Sequence, residues 1–73
     1  MNRDEAINKI VLEYASAVEK FPKFNSNHEG YAVILEELDE LWDAIKSNMR
    51  PEALEEEAKQ VAAMALRFLT DCC

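Results

Sequence analysis

HEGYAVILEELDELWDAIKSNMRPEALEEEAKQ, residues 28–60, decides how this chain folds. In its first half Ile34, Leu38, Leu41 and Ile45 recur at three- and four-residue steps, flanked by Tyr31, Leu35 and Trp42. That spacing marks an amphipathic helix, predicted from about His28 to Asn48. Ser47, Asn48 and Arg50-Pro51 then break it, and Pro51 suits the first turn of a new helix, where its missing N–H costs nothing. The new helix is predicted to continue to about Asp71, with Leu54, Val61, Met64, Ala65, Phe68 and Leu69 inward. Upstream, Ile7, Ile10, Val11, Tyr14, Ala15, Val18 and Phe21 give a further helix from about Asp4 to Phe21, with Asn2 or Asp4 as its cap. Pro22 ends it, because the residue before a proline is pushed out of the α region. Phe21 to Gly30 reads as an ordered loop with turn and cap chemistry at Asn25, Ser26 and Asn27. No strand pattern, internal repeat or low-complexity segment interrupts this all-α, three-helix plan.

With 73 residues the chain has room for one domain, 1–73, and a thin core. At this size apolar burial and conformational entropy nearly cancel, so a staple is expected. Cys72 and Cys73 are adjacent and close no useful loop, and nothing near them suggests a zinc site. Metal or self-association remain. Met1 to Glu5 is polar and no apolar stretch of a signal peptide follows. No apolar run approaches the roughly 18 residues that span a bilayer. The expectation is a cytoplasmic protein without a membrane segment. A formal charge of −7, from 15 acidic and 8 basic residues, disfavours direct binding to DNA or RNA, whose phosphates need a basic surface. An acidic protein that handles phosphates normally does so through a cation.

Where the acids sit is more informative than their number. Glu37 and Glu40 are three apart and share a helix face; Glu37, Leu41 and Ala44 form one row, and Glu36 and Glu40 another beside it. Glu57 begins the row Glu57, Val61, Met64, Phe68, otherwise a core stripe, and Gln60 lies next to it. Antiparallel packing of the two helices sets Glu37 and Glu40 against Glu57 and Gln60. Apposed carboxylates repel and lose solvation, so such a cluster requires a cation or raised pKa values. All-oxygen ligands favour Mg²⁺ or Mn²⁺ over zinc, and inward carboxylates on facing helices are an established way to build such a site. The plainer explanation is a solvated face, with Glu55, Glu56 and Glu57 as a charged first turn favoured by the helix dipole.

Glu36-Glu37-Leu38-Asp39-Glu40 followed by Glu57-Ala58-Lys59-Gln60 resembles the EExxE…ExxD signature of the MazG-like all-α nucleoside triphosphate pyrophosphohydrolases. HEGYAVILEELDELWDAIK and EEEAKQVAAMALRFLTD look like the small single-domain, phage- and mobile-element-type branch. The resemblance implies a homo-oligomer, dimer or tetramer, whose three-helix protomers build a shared helical bundle. It also implies Mg²⁺-dependent hydrolysis of a (deoxy)nucleoside triphosphate between the α- and β-phosphates, to monophosphate and pyrophosphate. By position, Glu37, Glu40 and Glu57 would be metal ligands, with Glu36 a ligand or water-orienting base. Gln60 stands where the motif has Asp. Its amide oxygen can ligate Mg²⁺ but adds no charge, so metal affinity or ion number should fall.

Substrate contacts are sought in the polar loop Lys23, Asn25 and Asn27, with Arg67 a further polar candidate. Trp42 and Tyr31 read as core or interface residues, with base stacking as the functional alternative. His28 reads as a capping or surface residue, and Met49 and Met64 as gap-fillers. Three functions compete: a nucleotide-pool pyrophosphohydrolase, a catalytically weakened nucleotide- or metal-binding module that keeps the fold, and a plain helical oligomerisation domain.

Overall fold

The computed structural model describes residues 1–73 as three α-helices without a strand: α1 (Arg3–Lys20), α2 (Asn27–Lys46) and α3 (Pro51–Cys72). Each boundary has a local cause. Asn2 caps α1, accepting from the Glu5 N–H at 2.8 Å. Before Pro22, Phe21 is extended (φ −127°, ψ 145°) and ends the helix. α2 begins earlier than predicted because Ser26 caps it, accepting from the Glu29 N–H at 3.1 Å. Glu29 reaches back to the backbone and side-chain amides of Asn25 at 2.9 and 3.1 Å, a variant of the capping box. α2 stops at Lys46 rather than Asn48 because Asn48 is left-handed (φ 52°). Its N–H donates to Ile45 O and that of Met49 to Ala44 O, the paired bonds of a Schellman cap. No helix is long and apolar enough to cross a membrane.

α3 is the central element: both other helices pack on it, and α1 and α2 do not pack on each other. α2 runs antiparallel to α3, as the sequence predicts, with Gly30 against Phe68 and Glu37 near Glu57. A Cβ at Gly30 would lie 2.6 Å from Phe68 Cδ2, so the residue's smallness sets this approach. α1 runs parallel to α3. Lys9 pairs with Glu55, Glu13 with Lys59, and Ala17 with Arg67 along the two. The core is small, centred on Ala17, Ala63 and Met64 with Tyr14, Phe24, Val33 and Ile34 packed around it.

The predicted inward faces need correction. In α1 the packed line is Ala6, Ile10, Glu13, Tyr14 and Ala17, whereas Ile7, Val11, Ala15, Val18 and Phe21 are exposed. In α2 the line is Gly30, Val33, Ile34, Glu37, Leu41 and Ala44, while Leu38 and Ile45 face outward. In α3 Ala65 and Leu69 are also exposed. Each helix carries more apolar residues than one contact can cover, and the line holding alanine or glycine permits the closest approach.

Arg67, expected as a polar contact to ligand, is instead 3% exposed. Nη1 donates to Ala17 O at 3.0 Å, Nη2 to Phe21 O and Pro22 O at 2.8 Å each, and Nε to Asp71 Oδ2 at 3.0 Å. Asp71 also accepts the Phe24 N–H at 3.1 Å. One guanidinium thus satisfies the Phe21 and Pro22 carbonyls beyond the end of α1, and adds a second donor to Ala17 O, which also accepts the Phe21 N–H. Arg67→Met should cost about 3–5 kcal/mol, because it orphans the Phe21 and Pro22 carbonyls and leaves the half-buried Asp71 carboxylate without its cation. Arg67→Lys should recover only part, since a point donor cannot replace the planar fork. Chemical denaturation of both variants checks this; equal stability of Arg67→Lys and the parent would refute it.

Candidate metal centre

Glu37 occupies the packed line of α2 between Val33 and Leu41, so helix geometry turns its carboxylate toward α3. Glu40 follows one turn later, at the edge of that face, and Glu57 meets them from the first half of α3. The three carboxylates each place an oxygen within 4.8 Å of the others. Glu37 and Glu57 are half-buried and Glu40 is exposed.

No lysine or arginine pairs with any of the three. Lys59, two residues beyond Glu57, binds Glu56 at 2.7 Å and Glu13 at 3.4 Å. This pairing pulls the Glu56 carboxyl below its ordinary range, leaving the triad uncompensated. Loss of solvation, then the Glu40 carboxylate, then Glu57 and Glu36 push the Glu37 carboxyl up from 4.5 to about 7. Burial, then Glu40 and Glu56, push Glu57 up as well.

The donor set fits a hard divalent cation. Three carboxylates supply only oxygen, and the charge that raises Glu37 is what such an ion neutralises. Glu37, Glu40 and Glu57 are the residues that would hold such an ion.

A cleft of about 560 Å³ opens beside the triad between α1 and α2, with Met64 of α3 in its lining. Glu37 belongs to both triad and cleft wall. Glu36, exposed, and Gln60, half-buried, also line the cleft. The Gln60 amide donates to Glu56 at 3.4 Å. Of the residues sought as substrate contacts, Lys23, Asn25, Asn27 and Trp42 lie outside the cleft, whereas Arg67 is in its lining. Lys23 and Asn25 sit in the α1–α2 loop, where Asn25 is engaged by Glu29. Asn27, in the first turn of α2, is ten residues from Glu37, roughly 15 Å along the helix. Trp42 is 55% exposed with Lys46 over its ring, and lies five residues from Glu37, on another face. α1 supplies walls that the sequence did not single out, Glu13, Ser16 and Lys20; only the parallel course of α1 brings them there.

A carboxyl whose folded pKa is raised binds its proton more readily in the native state. Its relative stabilisation is complete below about 4.5 and is lost as pH rises through about 7. Without divalent metal, the melting temperature should therefore decline from pH 4.5 to 7.5, with Glu57 acting in the same direction. Glu37→Gln should flatten that decline and melt higher than the parent at pH 7.5; parallel profiles would exclude a strained triad.

Compared with known proteins, the chain matches no family model, no curated protein and no solved structure.

Proposed function

We propose that this chain is a Mg²⁺- or Mn²⁺-dependent nucleoside triphosphate pyrophosphohydrolase of the MazG-like type, acting on the nucleotide pool. The observation that carries the proposal is the convergence of Glu37, Glu40 and Glu57 at the edge of a cleft of nucleotide size. Ligand pockets of about 300–1,000 Å³ with a few convergent polar groups are the usual binding sites of small molecules. A bound divalent cation would supply charge neutralisation for the phosphates and polarise the phosphorus under attack.

The chain's own residues have distinct tasks. Glu37, Glu40 and Glu57 hold the cation. Glu36, on the cleft wall beside Glu37, accepts the proton of the attacking water. A bond forms from that water's oxygen to the α-phosphorus as the bond to the α–β bridging oxygen breaks, and pyrophosphate leaves with that oxygen. Gln60, also on the wall, offers an amide oxygen in place of a fourth carboxylate. Its lack of charge favours one alternative specifically, a module that binds metal and nucleotide without turning it over.

A homo-oligomer belongs to the same proposal. Tyr31, Leu35, Leu38, Trp42 and Ile45 of α2 repeat at alternating four- and three-residue steps, and all are about half exposed. That is the spacing of a coiled-coil seam.

Purified protein with Mg²⁺ or Mn²⁺ should release pyrophosphate and monophosphate from at least one common or modified nucleotide. Glu37→Gln and Glu57→Gln should each reduce kcat at least a hundredfold. Metal-dependent nucleotide binding without turnover, with hydrolysis appearing in Gln60→Asp, would establish the non-catalytic module instead. Neither binding nor turnover across the panel would eliminate both. Light scattering should give at least twice the 8.4 kDa chain mass, falling toward the monomer in Leu38→Glu; a monomeric parent would exclude the seam.

A further inference from the structure

The cleft has two unlike ends. At one stand Glu36, Glu37 and Gln60; at the other stand Phe21, Phe24 and Lys20. Phe24 packs beside Gly30, seven residues from Glu37, so the ends lie roughly 10 Å apart along α2. Val33 and Met64 line the cleft as well, giving it apolar walls.

Phe21 is the unusual residue. Its backbone is fixed at both groups, the N–H donating to Ala17 O at 2.9 Å and the carbonyl accepting from Arg67 at 2.8 Å. Its ring is nevertheless 62% exposed and lines the cleft. Phe24 differs: it is half-buried and has the Arg67 guanidinium 5.3 Å from its ring centre. The cleft therefore carries an exposed aromatic side chain on a fixed backbone, away from the Glu37 end. An exposed Phe commonly has no role. Here the side chain lines the same cleft as Glu37, one member of the acidic triad, with Lys20 and Glu29 also in the wall.

We infer that the Phe21 end is the base-binding subsite, with the nucleobase stacked on the Phe21 ring and the phosphates directed to the triad. This inference rests on the nucleotide reading of the cleft. Lys20 has no carboxylate partner and supplies a donor to a base oxygen. Stacking tolerates any base because each has a π-face, so discrimination falls to the polar groups around the ring. The subsite also explains why Lys23, Asn25 and Asn27 need not touch ligand. Asn25 instead braces the loop between Phe21 and α2 through Glu29.

Two probes separate the ends: non-hydrolysable α,β-imido deoxynucleoside triphosphates carrying each of the four bases, and inorganic tripolyphosphate, both titrated calorimetrically with Mg²⁺. Phe21→Ala should weaken the nucleotides by roughly 5- to 150-fold, the range measured when stacking aromatics are removed. It should leave tripolyphosphate affinity within twofold, and Phe21→Trp should restore nucleotide binding. The ring's exposure makes a folding defect unexpected, and unchanged melting of Phe21→Ala verifies this. Equal weakening of nucleotide and tripolyphosphate, or no weakening of either, would overturn the base subsite while leaving the phosphate site standing. Failure of both probes to bind the parent protein would overturn the nucleotide reading and this inference together.

Discussion

The Arg67 guanidinium is the constraint on which the protomer's shape depends. α1 and α2 do not pack on each other, so their relation is set through α3 and the six residues that join them. Arg67 fixes that relation by binding Ala17, Phe21 and Pro22 carbonyls while Asp71 holds both the guanidinium and the Phe24 N–H. A buried charge is tolerable only when paired and hydrogen-bonded, and Arg67 has Asp71 as its partner and uses all three of its nitrogens as donors. Hydrogen bonds from Arg67 and Phe24 and the Arg67 charge hold the Asp71 carboxyl low against the opposing effect of burial. The consequence is an open wedge. α1 and α2 are clamped at the Arg67 end of α3 and leave a cleft along it. The radius of gyration, 12.5 Å, accordingly exceeds the about 11 Å typical of a globular chain this long.

The triad works against this scaffold. Glu37 takes a place in the α2 packing line that a leucine would fill without electrostatic cost, and its carboxyl is pushed up to about 7 as a result. Lys59 shows that compensation is available to nearby acids: Glu13 and Glu56 share its ammonium. A local conflict of this kind, in a chain otherwise consistent in caps, turns and patterning, is where functional sites are expected. A divalent cation would convert the repulsion into coordination and add to stability by binding only the folded state.

Much of this architecture was legible from residue order. Pro22, Ser26 and Pro51 fixed the breaks because their backbone chemistry is local, and the Glu37/Glu57 apposition followed from two stripes on helices joined by a short turn. Three features were not legible, each for a tertiary reason. Arg67 looked like a surface cation because arginine is rarely buried; only a helix end arriving from 50 residues away gives it partners. The packed face of α1 was misplaced because Val11 and Val18 outweigh Ala17 in hydrophobicity, whereas contact distance favours the alanine. The cleft walls Glu13, Ser16 and Lys20 depend on α1 running parallel to α3, which periodicity cannot report. Lys23, Asn25 and Asn27 were attractive because polar loops often bind ligands, yet Asn25 forms part of the cap and Asn27 starts the helix.

α2 then emerges as a helix with two apolar faces, separated by a polar, exposed side of Glu36, Asp39, Asp43 and Lys46. One face, from Gly30 to Ala44, packs on α3 and carries Glu37. The other, from Tyr31 to Ile45, is apolar at every coiled-coil step and is left about half exposed within the protomer. The core of Ala17, Ala63 and Met64 is too small to be the main source of stability in a chain of this length. Covering the outer face would add the apolar burial the core lacks, and it would do so on the helix that carries Glu37 and Glu40. Self-association through that face would hold α2 straight and in register, restricting the two carboxylates to the positions from which they meet Glu57. Coverage of the seam and cation occupancy would therefore reinforce each other through one rigid helix, and a protomer with an unsupported α2 should bind the cation less tightly than the assembled protein.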